Sequence, residues 1–450
     1  MTVAIESPAG LAEDAQEILQ ALLRIDTTNP PGNERPAAEY LQSRLEAVGL
    51  EPTLLESAPG RASLVCRHAG TGEAEPLLLA AHLDVVEAHA EAWRRPPFAG
   101  EIADGCLWGR GAIDMKHMAA MSAAILRRLA RDKVVLGRDV IFAAVADEEA
   151  GCEHGSRFLV EEYPDLVRAE YALGEVGGFS LQLAGTTYYP VQVAEKGVCW
   201  IRARVRGTPG HGSMPRADSA VLRLGEVIAR LGKARLPVHP TWPVRDFLQA
   251  LAARQPALAR PLLRVLTHPR LLGRVLAMVP DQGLARSFAP LLSNTAVPTV
   301  VRAGNAVNVI PGVAEVLIDG RTLPGQEDAD LLRELGAVLG PEVELEVIKS
   351  MPPVTTEPVS SPLFDIIQRQ IHRREPEAVV VPYMIPGFTD AKQFTRLGTR
   401  WYGFAPVKLE PGMRFADMFH GNDERIPLAG LHWGVEVLYD VVTELGAPRR

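Results

Sequence analysis

Between residues 11 and 24 apolar side chains recur at helical spacing, with Leu11, Ala15, Ile18, Leu19 and Leu22 on one face. A second helix is predicted over 34–48, stopped by Gly49. The runs 77–81, 140–146 and 171–174 are continuously apolar, as in strands covered on both faces. Between the first two lies an alanine-rich helical stretch, 115–131. Helices set between buried strands predict an α/β sheet with helices on both sides.

The pattern changes near residue 195. Cys199, Ile201, Ala203 and Val205 alternate with Arg202, Arg204 and Arg206, the mark of a strand with one wet face. A helix is predicted over 219–231, strands over 296–302 and 313–319, a helix over 327–339 and a strand over 342–348. The order β-α-β-β-α-β predicts a ferredoxin-like sandwich, residues 195–352, inserted into a catalytic domain of residues 1–194 and 353–450. Within the insert, residues 234–294 are rich in Leu, Ala, Pro and Arg and read as two or three helices. They either cover an apolar part of a substrate or serve lid packing or a dimer interface.

The 450 residues leave ample length for two or three domains. Apolar residues make up 47% and charged residues 23%, ordinary for a globular protein, and the net charge of −8 argues against nucleic-acid or anionic-membrane partners. Four scattered cysteines, Cys66, Cys106, Cys152 and Cys199, form no C-x-x-C pair and read as buried free thiols of a reducing compartment. Cys106 lies close in sequence to the candidate chemistry. With no leader pattern and no apolar run long enough to span a bilayer, the expected location is cytoplasmic.

Candidate chemistry clusters at the predicted strand ends, where ligands gather in open α/β sheets. His82 and Asp84 follow the first buried run; in extended chain they point the same way, so Asp84 either orients the imidazole or fixes the turn. Asp114 follows the loop Gly109-Arg110-Gly111, in position to cap the next helix. Asp147, Glu148 and Glu149 end the second run, three acids that repel one another unless a cation or protons offset them. Glu175 follows the third run, and His420 sits in a loop before the last helix. Singly each has a plain structural reading. Together they supply the nitrogen and oxygen donors of a two-metal hydrolytic centre, and the pair Glu148–Glu149 supplies one base and one ligand.

The segments AHLDVV (81–86), GRGAIDMK (109–116), DEE (147–149), GEVGG (174–178), GTPGHGSMP (207–215), NVIP (308–311) and HGND (420–423) resemble, in order, those of the M20 metallopeptidase family, which includes aminoacylase and succinyl-diaminopimelate desuccinylase. The resemblance implies two divalent ions, zinc first, with cobalt or manganese as alternatives. Asp114 is similar to the bridging ligand; His82 and Glu175 complete one ion, Glu149 and His420 the other. Glu148 resembles the general base and Asp84 the imidazole orienter. His211 is similar to a histidine that reaches the site of a partner subunit, which implies a homodimer formed through the inserted domain. Asn308 and Arg321 resemble substrate-holding residues, Arg321 through a bidentate grip on a carboxylate, and Thr389 belongs to the substrate loop. The family's cis peptide is expected between Asp114 and Met115.

Two departures stand out. Phe388 replaces a glycine beside the substrate loop, and His117 replaces the glycine after DMK, as an outer-shell donor or as a packing residue. The expected activity is cleavage of an amide bond in a small substrate with a free carboxylate: an N-acyl amino acid, or the C-terminal residue of a short peptide. Glu175 in place of Asp favours this branch of the family. An aminopeptidase or dipeptidase, a non-catalytic dimeric relative and a metallophosphoesterase are the alternatives.

Overall fold

The computed structural model describes residues 10–183, 185–254, 289–356 and 361–448. The chain divides into two units. The first comprises Met1–Val193, Thr356–Pro382 and Thr389–Arg450; the second comprises Ala194–Thr355 and Tyr383–Phe388.

The first unit is an α/β structure built on a mixed sheet. Its strands run in the order Thr53–Ala58, Arg61–His68, Val140–Val145, Leu77–His82, Tyr171–Gly174, Arg400–Gly403, Thr186–Glu195. Leu77–His82 pairs in parallel with both Val140–Val145 and Tyr171–Gly174. The register sets His82 opposite Val145 and Leu79 opposite Leu173, so the three strands present their carboxyl ends at one edge. All residues of these three strands are buried, which explains why they read as unbroken apolar runs.

The helix Lys116–Arg131 is buried over nearly its whole surface. It lies against the sheet and against the helices Leu11–Leu23 and Leu428–Leu445. Alanine at positions 119, 120, 123 and 124 permits that close approach. The Lys116 ammonium is buried and donates to the carbonyls of Leu22 (3.0 Å) and Ile25 (2.8 Å), closing the end of the first helix.

The hairpin Thr53–Ala58 and Arg61–His68 and the strand Thr186–Glu195 escape the sequence pattern. Arg61–His68 is covered on both faces, so alternation vanishes, and its polar ends Arg61 and His68 mask the apolar run. Thr186–Glu195 contains Pro190, which ordinarily argues against a strand interior.

The second unit holds a four-stranded antiparallel sheet in the order Thr295–Ala303, Val313–Thr322, Gly197–Arg206, Glu344–Met351. Cys199, Ile201, Ala203 and Val205 pack with Val316 and Ile318 under the helices Ala220–Lys233 and Asp328–Leu339. On the other face Arg202 pairs with Glu346 (2.8 Å) and Arg206 with Glu344 (2.7 Å), cross-strand pairs that keep this face wet. A reciprocal cap starts the second helix: the Glu327 N–H donates to the Asp330 carboxylate at 2.9 Å. Pro298 is tolerated because its strand is an edge with a bulge between Pro298 and Val300.

Tyr383–Phe388, assigned from sequence to the catalytic domain, belongs instead to this unit. The Lys196 N–H donates to the Ile385 carbonyl, and Tyr383 lies against Phe247. Of the helices expected over 234–294, Trp242–Arg254 is present and residues 255–288 lie outside the described residues. No described helix is long and apolar enough to cross a membrane.

Candidate active site

The aligned strand ends bring His82, Asp114 and Glu175 together, and Asp114, Glu149 and His420 beside them. Asp114 is shared. Its Oδ1 lies 3.1 Å from His82 Nε2, and its Oδ2 lies 3.1 Å from His420 Nε2. His82 Nε2 is 3.6 Å from Glu175 Oε2, and His420 Nε2 is 3.1 Å from Glu149 Oε2. The ring of His420 stacks on Phe419 with centroids 4.5 Å apart, which sets its plane.

The charges explain one another. Burial favours the neutral form of Asp114, but His420 and His82 outweigh it and hold the carboxyl below its usual range. Burial also opposes protonation of His82, yet Asp114, Asp84 and Glu175 raise it well above an ordinary histidine. His420 is lifted to about 10 by Asp114 and Glu149. Glu175 is pushed up to about 8 by burial, and Glu148 well up by burial and then by Glu175. Buried carboxylates thus outnumber imidazoles. Two carboxylate oxygens, Glu149 Oε1 and Glu175 Oε1, are buried with no hydrogen-bond partner. Orphaned oxygens beside imidazole nitrogens fit divalent cations with mixed nitrogen and oxygen ligation. Glu148, buried between the strand end and Glu149, belongs to neither trio.

Other geometry bears on readings that the sequence left open, and the expected cis peptide is present. The His82 Nδ1 hydrogen bond runs to the Asp84 backbone carbonyl at 2.9 Å; the Asp84 carboxylate is 3.6 Å away. That carboxylate also accepts the N–H groups of Glu148 and Glu149, both at 3.1 Å, and so sets the acidic turn. Asp114 does not cap its helix: Met115 holds the N-cap position without a side-chain cap, and the Asp114–Met115 peptide is cis. His117 is buried in the first helical turn, pushed down to about 4 by burial and hence neutral, and belongs to neither trio. Burial likewise raises the Cys106 thiol.

Sequence reasoning missed the supports. Glu424 is fully buried and accepts N–H groups from Gly111 (2.9 Å), Ile113 (2.7 Å) and Asp114 (3.0 Å), with Arg110 Nη1 at 2.8 Å. Gly111 is at φ +90°, and a Cβ there would sit 2.9 Å from Val85 and 3.0 Å from Lys116, so only glycine lets this loop close. Asn29 Nδ2 donates to Asp84 (2.8 Å) and to Asp147 (3.1 Å). Arg61 grips Glu34 with two bonds of 2.8 Å and reaches Asp147 at 2.7 Å. Asp390, pushed up to about 6 by burial, accepts from Ser156 at 2.5 Å. Thr389 is buried, and its hydroxyl accepts the Ala391 N–H at 3.1 Å.

Within the second unit, the short strands Gly210–His211 and Val309–Ile310 pair and bring His211 next to Asn308, whose carbonyl accepts the Gly212 N–H. His211 Nδ1 faces the Ser213 hydroxyl at 2.7 Å and the Ser213 N–H at 3.2 Å, so this is the ring nitrogen that the turn holds. Arg321 turns its Nε (2.8 Å) and Nη2 (3.2 Å) onto Asp319, so most of the expected bidentate fork is already engaged. Lys196, missed from sequence, is buried beside it and pushed down to about 7 by burial and then by the Arg321 charge.

Comparison with known proteins finds relatives along most of the chain. The chain is 28% identical over 431 residues to the N-fatty-acyl-amino acid synthase/hydrolase of Xenopus tropicalis, covering 91% of this chain and 81% of that protein. It is 26% identical over 442 residues to aminoacylase-1 of Sus scrofa, covering 96% and 95%. Its fold is similar to that of an M20 family metallo-carboxypeptidase from Sulfolobus solfataricus, with a TM-score of 0.68 and 17% identity over 96% of this chain and 98% of that one. Human carnosine dipeptidase 1 follows at a TM-score of 0.66 and 15% identity, covering 98% and 100%. Residues 78–444 match the profile of one family over most of the chain, and the chain belongs to peptidase family M20/M25/M40.

Proposed function

We propose that this amide-bond hydrolase acts on a small substrate with a free carboxylate, an N-acyl amino acid or the C-terminal residue of a short peptide, at a centre of two divalent ions. Divalent-metal binding goes with the family. The observation that carries the count of two is the sharing of Asp114 between two donor trios. His82 and Glu175 would hold one ion, Glu149 and His420 the other, with Asp114 between them. Their imidazole and carboxylate donors suit zinc, with cobalt or manganese as substitutes. Such ions, when bound, polarise the scissile carbonyl and bring the pKa of water towards neutrality.

The chain's own groups do the rest. Glu148 takes the proton of the attacking water and delivers it to the leaving amine, a task suited to a carboxyl raised by burial. Asp84 holds the Glu148 N–H and so keeps the base in place. His211 donates through Nε2, the ring nitrogen away from the Ser213 turn, to the carbonyl oxygen as negative charge develops there. Asn308 and Arg321 hold the substrate, and Thr389 shapes the loop beside it. The second unit is a ferredoxin-like lid through which two copies pair, His211 serving the partner's site. Its edge strand Thr295–Ala303 supports this: Val297 is 56% and Val301 58% exposed on a strand paired on one side by Val313–Thr322. The expected location remains the cytoplasm.

The test is a hydrolysis panel on zinc- or cobalt-loaded protein. It compares N-acyl amino acids, peptides with a blocked C-terminus and peptides with a blocked N-terminus. Turnover that requires the free carboxylate and tolerates a blocked amine is expected. Turnover that requires a free amine would replace this reading with an aminopeptidase.

A further inference from the structure

We infer that Phe388 is a positioning residue that fixes Arg321 so that its remaining edge, Nη1, selects substrates with a planar carboxylate; this rests on the reading of Arg321 as the carboxylate holder. Three observations within the second unit carry it. First, Asp319 occupies Nε and Nη2 of Arg321, while Nη1 is buried with no hydrogen-bond partner. A buried donor left unpaired is costly, and an incoming acceptor relieves that cost. Second, the Phe388 ring lies against the guanidinium, 5.7 Å from its central carbon to the ring centroid. A ring there attracts the cation and helps to hold it in place. With Nε and Nη2 taken by Asp319, the held guanidinium offers Nη1 to an incoming acceptor. Third, the buried Lys196 ammonium donates to the Ser293 carbonyl (2.8 Å) and the Thr295 hydroxyl (3.3 Å), and its charge acts on Arg321. Arg321 lies against one carboxylate, Asp319, and the Lys196 amine is buried beside it. A substrate carboxylate brings a negative charge to the cationic Nη1 donor, and a carboxamide brings none.

The glycine expected at position 388 would remove this ring and leave Asp319 alone to hold the guanidinium. Phenylalanine orders it at low entropic cost, because an aromatic side chain has only two torsions to fix. Asp319 locks the orientation from the opposite edge, so the arginine is held before substrate arrives. Phe388 acts through Arg321 and needs no contact of its own with the reacting atoms.

The experiment measures kcat and KM of the metal-loaded protein on an N-acyl amino acid and on its C-terminal carboxamide, for wild type, Phe388→Leu, Phe388→Tyr and Arg321→Ala. Phe388→Leu is expected to lower the carboxylate-over-carboxamide selectivity about tenfold, through KM for the carboxylate substrate. Phe388→Tyr, which keeps the ring, is expected to retain the selectivity, and Arg321→Ala to abolish it. If Arg321→Ala loses selectivity while Phe388→Leu keeps it, the role of Phe388 is overturned and the reading of Arg321 stands. If Arg321→Ala itself keeps selectivity, the reading of Arg321 fails first. An equal loss on both substrates in Phe388→Leu, or failure of Phe388→Tyr to retain selectivity, assigns Phe388 to shape alone and overturns the inference.

Discussion

Glu424 and Asp114 are tied through the backbone: the Glu424 carboxylate accepts the Asp114 N–H at 3.0 Å. Glu424 stands four residues after His420, so one side chain joins the loop of the shared carboxylate to the loop of the second imidazole. Replacing it with alanine removes the acceptor for three N–H groups and leaves Arg110 buried without its carboxylate. Glu424→Ala is expected to cost about 3–5 kcal/mol in chemical denaturation, and to weaken divalent-ion binding in calorimetric titration. Full stability and unchanged ion affinity in this variant would show that the tie is dispensable.

Glu148→Gln separates base from ligand. The substitution keeps the shape and removes the proton acceptor, while both trios remain whole. Metal content by elemental analysis should be unchanged and kcat should fall by about 10²–10⁴-fold. A rate within tenfold of wild type would assign the proton transfer elsewhere.

Stability should depend on pH in a direction set by the raised acids. Glu175 rises to about 8 and Glu424 to about 7, both from a usual value of 4.5. Between these limits the folded metal-free protein binds more protons than the unfolded chain, so its stability falls as pH rises from about 5 to about 8. His420, raised to about 10, adds to the same slope above pH 6.5, because its stabilising charge is lost on approaching that value. Divalent ions that take over Glu175 and His420 should flatten the part of the slope those two groups set. Calorimetric Tm against pH, with and without added zinc, gives the comparison; parallel curves would show that the ions do not bind these groups.

The paired assembly has its own test. His211→Ala and Glu148→Gln subunits, each inactive alone, should recover part of the wild-type rate when mixed and exchanged. A mixed dimer contains one site with both an intact base and an intact partner histidine. Mixtures that form heterodimers, verified by mass, and stay inactive would place His211 in its own subunit's site.

How much of this was legible in the sequence follows from distance along the chain. His82, Glu149 and Glu175 announce themselves because each polar residue ends or follows an apolar strand. The alternation around Ile201 marks a sheet with one wet face, as observed. The supports are silent because their partners are remote: Glu424 meets residues more than 300 positions away, and Arg61 meets Asp147 across 86. A buried glutamate in a loop and an arginine at the start of a strand have no periodicity to betray them. The Asp84 carboxylate illustrates the limit of local geometry. Its spacing from His82 left the imidazole and the turn both open, and the carboxylate faces both, 3.6 Å from His82 Nδ1 and bonded to the N–H groups of Glu148 and Glu149.

Asn29 is the amide that lets two buried carboxylates, Asp84 and Asp147, stand side by side, since its Nδ2 gives a hydrogen to each. Asparagine is a chemically perishable residue: it deamidates when the following backbone nitrogen attacks the side-chain carbonyl and closes a succinimide ring. Here the following residue is Pro30, whose nitrogen carries no hydrogen. Ring closure by that route is blocked at the position where conversion to aspartate would set a third negative charge against the other two. The neighbour of Asn29 therefore gives the acidic turn chemical durability, so that this support should not age with the protein.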